Sequence, residues 1–195
     1  RAGDGVPFDY FGHSLAVDQT SDGSGFNLAV GAPGRDDAAT DSGAVYIYEF
    51  DDSGATFKEK VYSTFGQAGE YFGWSLNLTG SVLLAGSPYT SPDSVTQTGA
   101  VFVFKDDFGD WSFDSILTPT IEAAGGAFGW SIDFDGTNAV VGAPYSYDSD
   151  GNPFTGNAEI FTMFPPYGFD TAGNVFAQYP ETASQFGAAV SIDGA

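Results

Sequence analysis

The side chains of this chain that could do chemistry are mostly carboxylates: 26 acidic residues stand against five basic ones, a single histidine and no cysteine. Without thiols, and with His13 as the lone imidazole, nucleophilic catalysis of the Cys-His or Ser-His kind has one candidate base at most. Carboxylates can act as a glycoside-cleaving pair or coordinate a hard cation. No spacing in the sequence singles out such a pair. A cation pattern is visible in Asp148-Ser149-Asp150-Gly151-Asn152, where Asp148, Asp150 and Asn152 offer oxygen ligands at alternate positions. The same residue types also make ordinary turns. Asp36, Asp37 and Asp41 form an acidic loop of looser spacing. Asn77-Leu78-Thr79 is an N-glycosylation sequon, with Asn77 as the acceptor.

The elements that position these residues belong to a repeated unit. Phe11-Gly12, Phe72-Gly73, Phe128-Gly129 and Phe186-Gly187 recur at spacings of 61, 56 and 58 residues. A second signature follows each of the first three pairs: Gly31-Ala32-Pro33, Gly86-Ser87-Pro88 and Gly142-Ala143-Pro144. Self-similarity at this period indicates a modular array. His13 occupies the place of Trp74, Trp130 and Ala188, so it reads as a packing position of the repeat rather than a catalytic base. Trp74 reads the same way. Each Phe is expected to pack between neighbouring units, and each Gly to permit close backbone approach.

Within a unit the pattern is four short strands. In the second unit these are Ser75–Leu78, Val82–Ala85, Gly99–Phe104 and Trp111–Leu117, separated by Gly- and Asp-rich turns. In the third, a longer insertion, Pro165–Gly173, precedes an expected last strand over Asn174–Gln178. No stretch has helical periodicity. The 19 Phe and 10 Tyr suit pleated surfaces, and the 27 Gly supply turns. Four-stranded antiparallel sheets repeating radially make a β-propeller; a sandwich would not explain the recurring signature.

The net charge of −21 repels phosphate backbones, which excludes nucleic acid as a partner. No apolar run approaches the roughly 20 residues of a membrane span, so direct membrane insertion is not expected. The chain starts at Arg1 rather than Met, and both ends fall inside the repeat. A mature or excised N-terminus and a longer parent polypeptide are therefore expected.

The Phe-Gly pair, the Gly-Ala-Pro triplet and the strand Gly-x-x-Tyr/Phe-x-Tyr/Phe that follows resemble FG-GAP repeats, the blades of the integrin α-subunit head. The short-hairpin form, Phe128 to Pro144, is similar to a variant of microbial and algal surface proteins, in which a Gly-x-Trp segment opens the fourth strand as Gly109-Asp110-Trp111 does. The resemblance implies an all-β fold of FG-GAP-type β-propeller blades. The blades fall at about 10–69, 70–125 and 126–183, with 184–195 beginning another. Integrin-type blades often carry a calcium loop between their first two strands. Unit one matches it imperfectly, through Asp18, Thr20, Asp22 and an Asn27 placed one residue late. Calcium is the one cofactor this implies.

The resemblance further implies an extracellular or cell-surface adhesion or structural module without catalytic residues. Its partners would be the remaining blades, of the same or another chain, and an extracellular protein or glycan. The competing reading is an enzyme, or an accessory domain of a hydrolase acting on polysaccharide or lipid. Function is expected in the segments that differ between units: 18–27, 34–41, 89–98 and 145–155.

Overall fold

Val101 and Val103 point to one side of their strand, Phe102 and Phe104 to the other, and all four are buried. A strand buried on both faces must lie between layers, and the chain builds three such layers. The computed structural model describes residues 3–20, 23–107, 109–147, 151–152, 154–164, 168–178, 181 and 183–194. Its strands are β1 (Leu15–Gln19), β2 (Phe26–Ala32), β3 (Ala44–Asp51), β4 (Gly54–Val61), β5 (Leu76–Thr79), β6 (Val82–Ser87), β7 (Ala100–Asp107), β8 (Asp110–Leu117), β9 (Ser131–Phe134), β10 (Asn138–Ala143), β11 (Asn157–Phe164) and β12 (Gly168–Val175). They form three four-stranded antiparallel sheets, each in simple chain order. There is no helix among the described residues. The inner strand β5 packs against β1 on one side and β9 on the other. The register between the third and fourth strands shifts at the same place in every sheet: Ile47/Tyr48, Val103/Phe104 and Ile160/Phe161. A bulge there sharpens the local twist of each blade.

The seams between sheets are the core. Phe72, Leu78, Leu83, Phe102 and Phe104 of the second sheet pack against Ala29, Val45, Ile47 and Val61 of the first. Phe128, Phe134, Val141 and Phe161 repeat this against Leu84, Val101 and Val103. Aromatic groups on one face thus enter a bed of small and β-branched residues on the next. Phe72 and Phe128 are fully buried. Truncating a Phe in such a place costs about 3–5 kcal/mol. Phe11 and Phe186 hold equivalent places and are half-buried. Phe11 lies edge-on to Tyr46 at 5.2 Å.

A backbone latch accompanies each seam. The N–H of Phe72 donates to Ser42 O at 3.1 Å, that of Phe128 to Thr98 O at 2.9 Å, and that of Phe186 to Thr155 O at 3.0 Å. The next residue, Gly73, donates to Gly86 O at 3.0 Å within its own unit, as Gly12 does to Gly31 O at 2.9 Å and Gly129 to Gly142 O at 3.1 Å. Its carbonyl accepts the hydroxyl of Ser14 from the preceding unit at 2.7 Å. Ser75 donates likewise to Gly129 O at 2.7 Å, and Ser131 to Gly187 O at 2.8 Å. The glycine of each Gly-Ala-Pro triplet sits directly under this carbonyl. A Cβ on Gly31, Gly86 or Gly142 would collide with the backbone oxygen of Gly73, Gly129 or Gly187.

The last strand of the third sheet differs from the expectation over Asn174–Gln178. It spans Gly168–Val175 and pairs with β11 from Phe164↔Gly168 onward. Phe169 anchors it by packing on Phe134 at 5.5 Å, so most of the expected insertion is strand.

Gly86→Ala is expected to lower unfolding free energy by more than about 3 kcal/mol or to prevent folding, because both obstructing groups, the Gly129 carbonyl and Ser75, belong to the packed seam. Ser75→Ala, which removes one hydrogen bond, is expected to cost about 1 kcal/mol. Urea unfolding followed by circular dichroism measures both; equal effects would refute the latch.

Candidate functional site

The cation pattern of the first unit is only partly described, because Asp22 lies outside the described residues. Asp18 and Asn27 face each other across β1 and β2. Asp18 accepts from the Gln19 N–H at 2.8 Å and, through its other oxygen, from the Gly80 N–H of the neighbouring hairpin. Thr20 closes its own turn, accepting from Gly25 N at 2.9 Å and donating to Gly25 O at 3.2 Å. In the third unit Asp148 and Asp150 lie outside the described residues, and the Asn152 carbonyl accepts from the Thr155 hydroxyl at 3.1 Å. Among the described residues no three His, Asp or Glu side chains converge as a metal site. The sequon lies at a seam: the Asn77 amide donates to Asp133 Oδ1 at 2.9 Å, and the Thr79 hydroxyl donates to Asn77 Oδ1 at 3.0 Å.

The feature the sequence did not foretell is an aromatic groove. The residue before each Phe-Gly pair takes a left-handed conformation: Tyr10, Tyr71, Ala127 and Gln185 have φ of 54°, 53°, 57° and 53°. So do Asp41, Gln97 and Phe154, at 53°, 54° and 60°. Such geometry costs a non-glycine residue about 1–2 kcal/mol, and one turn bond accompanies it in all four copies: the N–H of His13, Trp74, Trp130 and Ala188 donates to the carbonyl of Tyr10, Tyr71, Ala127 and Gln185 at 2.9, 3.2, 3.2 and 3.1 Å; Tyr71 N also donates to Asp41 O at 3.1 Å, beside the Phe72 bond. The residues after the first three Phe-Gly pairs line up in a row, their rings tilted by 46° and 49°. His13 lies 4.5 Å from Trp74, and Trp74 lies 4.8 Å from Trp130, between ring centroids. Tyr71 and Tyr89 stand at 73° and 80° to the Trp74 plane. Together with Tyr10, His13 and Gln97 they enclose a groove of about 540 Å³ between the first two units. Trp74 is therefore both a packing residue and a wall. Burial and the nearby Asp41 carboxylate raise the Tyr71 pKa, and burial raises that of Tyr89, so both phenols keep their protons.

Charge is gathered elsewhere. Arg35 pairs with Asp9 at 3.0 Å, Asp37 at 2.7 Å and Asp4 at 3.5 Å, while Lys60 reaches Asp4 and Asp37 at 2.6 Å each. Arg35, foremost, and then Lys60 hold Asp37 down at about 2. The equivalents of Arg35 and Asp9 in the second unit are Thr90 and Glu70. Glu70 is fully buried and accepts from Ser63 Oγ at 3.0 Å and Thr90 Oγ1 at 3.2 Å. Glu159, also fully buried, replaces the aromatic residues Tyr46 and Phe102 and accepts from Thr120 N at 3.0 Å. Burial raises both glutamate pKa values.

Radially stacked four-stranded antiparallel sheets, latched glycine to glycine and presenting loops at their ends, define a β-propeller-type repeat module. The FG-GAP repeat model matches residues 1–48 and 111–161, just over half of the chain. The chain belongs to the FG-GAP repeat family. No curated protein matches it.

The two kinds of acid give opposite pH signs. Asp37, lowered from 3.8 to about 2, contributes stability that is present above pH 4 and lost as pH falls through about 2. Glu70, raised from 4.5, contributes most below that value and less as pH rises through its folded pKa. Unfolding free energy measured from pH 2 to 8 is expected to lose part of its acid-side slope in Asp37→Asn and part of its slope above pH 4.5 in Glu70→Gln. Curves parallel to wild type in both variants would overturn these assignments.

Proposed function

We propose that this chain is a non-catalytic interaction module of an extracellular or cell-surface protein, whose seams are structural and whose loop face meets a partner. The observation that carries this reading is a division of labour. The repeated Phe, Gly and Ser residues are spent on holding units together. The lining of an open groove adds Tyr89 and Gln97, from segments that differ between units, to the recurrent Tyr10, Tyr71 and Trp74 side chains. Folds host many functions, and it is such unrepeated sites that distinguish them. The carboxylates fully buried among the described residues, Glu70 and Glu159, are held by hydroxyl and backbone donors inside seams, away from solvent. That is a structural use of the acids best shielded for general acid chemistry. Further blades, on this or another polypeptide, would stack on the outer sheets by the same latch.

The purified chain, fluorescently labelled, is expected to be retained on cell-wall or extracellular-matrix material, separated into polysaccharide-rich and protein-rich fractions, and to release no product from either. Absence of retention on every fraction, with release of sugar or fatty acid, would replace this reading with the hydrolase one.

A further inference from the structure

We propose that the groove between the first two units takes a short stretch of neutral polysaccharide; this rests on the interaction-module reading and names its ligand class. The chain carries a net charge of −21, yet the groove lining includes no carboxylate, ammonium or guanidinium group. The nearest carboxylate, Asp41, accepts from the Tyr71 hydroxyl at 3.4 Å and stands outside the lining; a concave surface that an acidic protein lines with no carboxylate of its own is suited to an uncharged ligand. A cation would be better served by the carboxylates available elsewhere, and a polyanion would be repelled by the chain as a whole.

The lining has the two components a sugar requires. Aromatic faces accept the C–H faces of pyranose rings: Tyr71, Trp74 and Tyr89 meet at 73°, 71° and 80° and form a corner rather than a flat sheet. Polar edges accept and donate to hydroxyls: the Tyr10, Tyr71 and Tyr89 phenols, the Trp74 indole N–H, the His13 imidazole and the Gln97 amide. The Tyr71 hydroxyl donates to Asp41 Oδ2 at 3.4 Å, which leaves its oxygen to accept from a sugar hydroxyl, while Tyr89 remains a protonated donor. The volume of about 540 Å³ lies within the roughly 300–1,000 Å³ of small-molecule sites.

The site is also pre-set. Tyr10, Tyr71 and Gln97 all hold left-handed backbone, with φ of 54°, 53° and 54°. Turn bonds from His13 N to Tyr10 O at 2.9 Å and from Trp74 N to Tyr71 O at 3.2 Å, and the bond from Gln97 N to Ser91 Oγ at 2.8 Å, hold these side-chain origins before binding, which favours affinity for a weakly held ligand.

Intrinsic fluorescence titrations with cellohexaose, xylohexaose, mannohexaose and laminarihexaose test the proposal. At least one hexaose is expected to give a saturable change at millimolar concentration or below, insensitive to salt. Tyr71→Ala is expected to weaken it by about tenfold, the loss of one aromatic anchor, and Gln97→Ala by several-fold. Circular dichroism checks that both variants fold. No saturable change with any hexaose, or binding unaltered in both variants, would overturn the assignment. So would a deca-arginine peptide that binds in a salt-dependent and Tyr71-dependent way, since the groove would then belong to a basic protein segment. If the hexaoses fail while the chain is still retained on matrix material, the ligand class is wrong and the module reading stands. Loss of both removes the module reading itself.

Discussion

The closest constraint in the molecule is the approach of one backbone to another where a Gly-Ala-Pro glycine passes beneath the Phe-Gly carbonyl of the next unit. No side chain fits between Gly86 and Gly129, or between Gly31 and Gly73. That contact fixes the spacing of neighbouring sheets. The spacing in turn decides which residues can fill the seam: Phe72 and Phe102 from one side, Val45 and Ile47 from the other. The serine hydroxyl that bridges the units at 2.7 Å satisfies a carbonyl that would otherwise be stranded in a tight interface. Apolar burial supplies the cohesion, but it is non-directional. The latch supplies the angle and register that make successive sheets equivalent.

How much of this was legible in the sequence follows from what repeats. Phe72, Gly73 and Gly86 announce themselves because the same steric demand recurs and admits few residue types. Ser14, Ser75 and Ser131 recur as regularly, but serine is common in loops and its identity alone does not disclose a donor to the next unit. Ala189 replaces it in the fourth copy. The end of the third unit departs from its sequence pattern: Gly168 and Gly173 favour a loop, whereas Phe169 packs on Phe134 and the segment is strand. The groove was not legible at all. Tyr10, Trp74 and Gln97 are distant in sequence, and Tyr10 and Gln97 take a left-handed backbone for which their residue types have no preference.

One repeat position can be filled by unlike chemistry so long as its mechanical task is met. Tyr46, Phe102 and Glu159 are equivalent, and each fastens the connector that leads into its own unit. Tyr46 donates to Asp4 at 3.0 Å, Phe102 packs on Phe65 at 5.9 Å, and Glu159 accepts from Thr120 at 3.0 Å. The Glu159 arrangement puts a carboxyl where its neighbours bury an aromatic ring. A buried acid tolerates this because backbone and hydroxyl donors replace the water it loses.

The left-handed residues before each Phe-Gly pair have a consequence for diversity. The same turn bond closes over each of them, so the identity of the side chain matters little to the fold, and Tyr10, Tyr71, Ala127 and Gln185 occupy the same geometry. Each unit therefore offers a socket whose contents can be exchanged without rebuilding the frame. Tyr10 and Tyr71 of neighbouring sockets line one groove across a seam, so duplication of the unit multiplies not single surfaces but pairs, each pair a new combination. A chain built this way can change the chemistry of its surface by point substitution while its architecture is copied unaltered.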